Sequence, residues 1–156
     1  MSNGDHFNPN HTIFPTNHPT TLFFIGCQQE QKIEQKNEDS ISISDTWIRP
    51  GVKDRNTAAF MKIYNNTGMD DTLLTASSSL AKVVEIHETF TKENDMKGMR
   101  QVDFVEIPNN SVKELKPNGL HIMLIGLEKN LASGDSGKIN LNFKSAGEII
   151  INTKVR

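Results

Sequence analysis

From Ser40 onward, clusters of Gly, Pro, Asn and Asp recur about every ten residues, and no apolar pattern between them is long enough for a helix of ordinary length. The punctuating segments are "RPGVKDRN", "NNTGMD", "TKENDMKG", "PNN", "KPNG" and "ASGDSG", whose residues suit tight turns. Between them the chain has room only for short strands. The spacing predicts "SISISDTWIR" (40–49), "AAFMKIYN" (58–65), "DTLLTASS" (71–78), "AKVVEIHE" (81–88), "MRQVDFVEI" (99–107), "SVKEL" (111–115), "GLHIMLIGL" (119–127), "KINLNFKS" (138–145) and "GEIIINTKV" (147–155). That is the rhythm of an all-β sandwich, and no segment repeats at a fixed period.

A chain of 156 residues is long enough for one domain with a true core and too short for two of ordinary size. Its formal charge of -2 provides no basic stripe, so nucleic acid is not an expected partner. Cys27 is the single cysteine, which excludes an internal disulfide, a CxxC pair and a cysteine-rich zinc cluster. Metal chemistry in this domain would need other ligands. No apolar run approaches the roughly 18 to 20 residues of a transmembrane helix.

Residues 1 to 40 differ from the rest, being rich in Asn, Thr, His, Pro, Gln and Glu, and are read as a leader or flexible tail ahead of a domain at 41–156. Within them "TLFFIGCQQEQK" resembles the end of a bacterial lipoprotein signal, in which the cysteine after a small residue receives lipid. The apolar run is shorter than the roughly 7 to 15 residues of an ordinary signal core, and no Lys or Arg precedes Lys32. An ordinary tail with an incidental cysteine is the competing reading. His6, His11 and His18 have no spaced partners and are not expected to act.

Candidate chemistry gathers further on. In "GLHIMLIGL", Leu120, Ile122 and Leu124 share one strand face while His121, Met123 and Ile125 share the other, so an imidazole and a thioether point the same way. They are either adjacent ligands or an accident of packing. In "AKVVEIHE", Val84 and Ile86 take the core face and His87 points outward at the strand end. Met99 opens the following strand, with Met96 three residues earlier; taken singly, each is ordinary packing. Taken together, His87, Met99, His121 and Met123 stand at intervals of 12, 22 and 2 positions.

That set resembles, position for position, the copper motif of the periplasmic copper chaperones called PCuAC: H, an optional M, ten residues, M, twenty-one residues, H, x, M. The flanks agree too, in "ISDTWIRP", "NNTG", "ASSSLAKVVEIHE", "MRQVDFVEIP", "VKELKPNGLHIMLIGL" and "GKINLNFKSAGEI", over residues 41 to 153. The resemblance implies a single cupredoxin-like Greek-key β-sandwich that binds Cu(I) through His87, Met99, His121 and Met123. It further implies a periplasmic or cell-envelope location and delivery to a copper acceptor, such as the copper-A site of a cytochrome c oxidase subunit or its assembly factors. Two departures stand out: Glu88 occupies the optional methionine position, and Met96 is an alternative to Met99.

Ligand chemistry agrees. Thioethers are soft and favour Cu(I), whereas Mg²⁺ and Ca²⁺ want oxygen and zinc prefers thiolate, imidazole or carboxylate. Methionine also avoids the disulfide formation that threatens thiolates outside the cytoplasm. A shallow site at a loop edge would hold copper yet leave it within reach of an acceptor. The alternatives are a redox or electron-transfer protein, which would need a cysteine beside two histidines, and a metal-free adhesive or structural sandwich. No nucleophile has a catalytic context, so no enzyme is expected and no catalytic residue is assigned. Trp47 is read as core or site-wall packing, Arg49 and Arg100 as solvated or paired, and Glu85 and Glu88 as solvated charges or acceptors orienting His87.

Overall fold

The computed structural model describes residues 40–156. The expected leader, Cys27 and the tail histidines lie outside the described residues. Ten strands and, among the described residues, no helix make up the fold: β1 Ile41–Ile48, β2 Thr57–Asn65, β3 Asp71–Ser77, β4 Ala81–Thr91, β5 Lys97–Gln101, β6 Val105–Ile107, β7 Ser111–Leu115, β8 Leu120–Leu127, β9 Ser136–Phe143 and β10 Gly147–Val155. The all-β sandwich foreseen from the turn spacing is met. Each of the six turn segments holds one residue with left-handed backbone, Asp54, Gly68, Asp95, Asn110, Asn118 and Gly134. These are the residue types that tolerate positive φ at least cost.

Hydrogen bonding runs in one path, β5-β4-β8-β2-β1-β10-β9-β3-β6, with β7 added on β2. The stretch expected as one strand over 99–107 is two. Gln101 ends its pairing opposite His87 on β4, and Val105 begins pairing opposite Leu73 on β3, at the other end of the path. Only Val102, Asp103 and Phe104 connect them, and so few residues reach little more than about 10 Å. The sheet therefore curls until its two ends are neighbours, which encloses the core. Ile48, Ile63, Leu73, Ile122, Leu124, Ile139 and Phe143 fill that interior. Packing is close enough at Gly137 that a Cβ there would lie 2.3 Å from Leu80 Cδ1.

Polar side chains secure the turns. Asn65 is fully buried and satisfied on both sides of its amide: Nδ2 donates to the carbonyls of Met69 (2.9 Å) and Ile107 (2.8 Å), while Oδ1 accepts from Thr67 N–H (3.0 Å) and Oγ1 (2.8 Å). The "NNTG" segment thus ties the β2–β3 turn to β6. Asp71 accepts from the backbone N–H groups of Thr72 (2.7 Å), Ser145 (2.9 Å) and Ala146 (2.9 Å), joining β3 to the β9–β10 turn. Burial alone would raise its pKa, but these donors outweigh that and hold the carboxyl below the usual aspartate value.

Candidate metal centre

Strand pairing brings the two histidines together. His87 on β4 stands directly opposite His121 on β8, and Glu85 stands opposite Met123. Paired residues project to the same side of a sheet, so these four share a face, opposite to that of Ile86, Ile122 and Leu124. On the other flank of β4, Met99 pairs with Thr89 and Gln101 with His87, which places Met99 on the same face. On the other flank of β8, Ala58 of β2 pairs with Met123. The four residues of the motif are therefore side by side on three adjacent strands.

A cavity of about 430 Å³ opens there, with Met99, His121 and Met123 in its wall alongside Arg49, Phe60 and Asn118. His87 is not part of that wall; its ring lies beside that of His121, with centroids 6.0 Å apart. Met96 is absent from the wall as well, on the β4–β5 hairpin and well exposed. Met99 is itself 59% exposed, whereas His121 is only 4% exposed. The site is thus deeper on the β8 side than a shallow loop edge, and open on the β5 side. His87 is not at a strand end either: β4 continues to Thr91, and the His87 side chain is 16% exposed.

The turn between β7 and β8 seats His121. β7 pairs with residues 61–65 of β2 and β8 with residues 57–59, so the chain steps along one strand edge through Lys116–Gly119. Asn118 takes left-handed backbone in that step. The Gly119 carbonyl accepts from Thr89 N–H (3.1 Å) and lies 3.0 Å from His121 Nδ1. A carbonyl only accepts, so Nδ1 carries the proton and Nε2 the lone pair. Burial pushes the pKa of His121 below the ordinary histidine value; the Gly119 carbonyl opposes this, and the neighbouring His87 and Arg49 add to it.

An aromatic wall covers the same ring. Trp47 packs on Phe60 with centroids 4.4 Å apart, and Phe60 lies 6.3 Å from His121. Arg49 sits over Phe60 and Arg156 over Trp47. Phe60 and Gly119 carried no site reading in the sequence. A signal for Phe60 was present: "AAFM" is apolar at consecutive positions, the mark of a strand buried on both faces.

The flanking carboxylates divide. Glu85 Oε2 is 2.7 Å from His87 Nε2, whereas Glu88, on the opposite side of the strand, pairs with Arg100 at 2.8 Å. His87 Nδ1 is buried without a hydrogen-bond partner. Among the described residues no group of three or more His, Cys, Asp and Glu side chains is placed to hold a metal. The donor-bearing side chains that share this face are two imidazoles, two thioethers and the Glu85 carboxylate.

Residues 41–155 match the family described as "Putative lipoprotein LpqE-like". "Putative lipoprotein Lxx21020" of Leifsonia xyli subsp. xyli is 32% identical over 108 residues, covering 69% of this chain and 64% of that protein, so the chain spans somewhat under two thirds of this relative's length. Among solved structures, the copper-bound PCuAC domain from PmoF2 aligns with a TM-score of 0.61 at 22% identity, covering 74% of this chain and 92% of that domain. The solution structure of CuI-DR1885 from Deinococcus radiodurans aligns with a TM-score of 0.58 at 24% identity, covering 83% and 85%. At these identities the likeness is one of fold.

Proposed function

Because this chain belongs to the LpqE-like family, and its described residues fold like a PCuAC domain, we propose that it is a copper carrier of the bacterial cell envelope. It takes Cu(I) through His87, Met99, His121 and Met123 and delivers it to an acceptor, without catalytic turnover. The observation that carries this reading is the placement of two imidazoles on directly paired positions with both thioethers on the same face. Two neutral imidazoles and two thioethers make a soft, uncharged donor set that suits Cu(I) over harder cations. An exposed Met99 beside a buried His121 gives a site with one firm side and one open side, from which an incoming acceptor ligand can displace a thioether. The copper-A site of cytochrome c oxidase is the acceptor we favour. Lipid attached to Cys27, ahead of a domain beginning near residue 41, would hold the carrier at a membrane surface.

Titration of the purified protein with Cu(I) under reducing conditions tests the reading. One equivalent should bind, and the double variant His121→Ala, Met123→Ala should lose it. Full stoichiometric binding by that variant would overturn the assignment. Transfer to a soluble copper-A domain, followed by the appearance of its copper absorption, tests the acceptor separately.

A further inference from the structure

We infer that Glu85 is a positioning residue that sets the tautomer of His87, so that this imidazole offers copper its Nδ1 while His121 offers its Nε2. The choice of metal rests on the proposed copper function; the tautomer does not. Glu85 lies two positions before His87 on the same strand face, and its Oε2 is 2.7 Å from His87 Nε2. An ionised carboxylate only accepts, so Nε2 holds the proton of the neutral ring and Nδ1 is left with a bare lone pair. That Nδ1 is buried and has no partner. Buried polar atoms are almost always satisfied, and a bound soft cation would satisfy this orphaned lone pair, which shares its face with two thioethers.

His121 has the reverse arrangement. Its Nδ1 donates to the Gly119 carbonyl at 3.0 Å, leaving Nε2 free. The two rings face each other across paired positions with an interplanar angle of 52°. Opposite nitrogens are thus freed on the two strands, one by a side-chain carboxylate and one by a main-chain carbonyl. Carboxylate–imidazole–metal triads raise ligand basicity and fix ring orientation, and losing such a partner typically weakens metal binding 10- to 100-fold. Glu88 does not share the role, since its Oε2 accepts from Arg100 Nε (3.1 Å) and an Arg100 terminal nitrogen (2.8 Å).

Long-range ¹H–¹⁵N correlation spectra of the full chain read the tautomers directly, with Ag(I) as a diamagnetic probe for Cu(I). In the metal-free protein His87 should be protonated at Nε2 and His121 at Nδ1. Glu85→Gln, and Glu85→Leu as a second variant, should turn His87 into a tautomer mixture and weaken Cu(I) roughly 10- to 100-fold, while Glu88→Gln leaves both readouts unchanged. Ag(I) should shift Nδ1 of His87 and Nε2 of His121. A wild-type His87 protonated at Nδ1, or a tautomer unmoved in both Glu85 variants, would overturn the inference. The expected tautomers with no imidazole shift on adding Ag(I) would support the positioning role and count against the copper reading alone.

Discussion

His87 and His121 occupy directly opposed positions on β4 and β8, with ring centroids 6.0 Å apart and a different nitrogen of each beside an acceptor, Glu85 Oε2 at His87 Nε2 and the Gly119 carbonyl at His121 Nδ1. Both imidazoles are placed by strand pairing rather than by loops. What varies around the pair is exposure, from the buried His121 to the open Met99.

X-ray absorption of the Cu(I) protein is expected to show mixed sulfur and nitrogen ligation. Met99→Leu should remove part of the sulfur signal and Met96→Leu should leave it intact, because only Met99 reaches the cavity wall. A shell of nitrogen and oxygen alone would rule out thioether ligation. Loss of sulfur in Met96→Leu instead would move the ligand to the hairpin tip.

The lowered pKa of His121 predicts the pH behaviour of the metal-free protein. Its unfolded value is near 6.5 and its folded value lies below that, so between the two the unfolded chain binds more protons. Stability should be complete above about pH 6.5 and decline as the pH falls through the folded value. Denaturant titrations across this range check it, and His121→Asn should flatten this contribution. Copper should also loosen toward pH 5 as protons compete for the imidazoles, but incompletely, since thioethers do not titrate. Retention that is flat from about pH 7.5 to 5 would exclude the histidines as ligands.

Asp71 contributes in a lower window. Its folded pKa is below the ordinary value of 3.8, so its contribution is present above that value and is lost as the pH falls through the folded one. Asp71→Asn replaces an acceptor of three backbone N–H groups by an amide that turns a donor toward one of them. A loss of about 1 to 3 kcal/mol is expected in urea unfolding at neutral pH, with Cu(I) binding unchanged because Asp71 is on β3, away from the β4–β8 face.

If Cys27 carries lipid, the native protein should partition into detergent and Cys27→Ser should release it to the soluble fraction without altering copper binding, since two or three acyl chains hold far more firmly than one. The polar "QQEQKIEQKNEDS" would then be the tether between lipid and domain. Intact, unlipidated chains in the soluble fraction of the native host would refute the anchor and leave the ligand set untouched.

Local information in the chain was enough for much of this protein. Strand alternation and the Gly, Asn and Asp turns mark nearly every strand, because both depend on residues adjacent in sequence, and the His87, Met99, His121, Met123 spacing marks the candidate ligands. Pairing across the sheet decided the rest. The stretch 99–107 has no turn signal inside it and so reads as one strand, yet it divides because β4 and β3, remote from it in sequence, each claim one end. Glu88 is adjacent to His87 in the chain and Glu85 is two positions away, yet the nearer carboxylate is not the partner. Pleating turns Glu85 to the imidazole and Glu88 to Arg100. Alternation puts His121 on the face opposite the apolar core residues of β8, but the Phe60 ring from β2, itself backed by Trp47 of β1, lies beside it and His121 is buried. Burial, tautomer and charge at this site are set by neighbours that only the folded sheet brings into contact, and such contacts have no signature in local pattern.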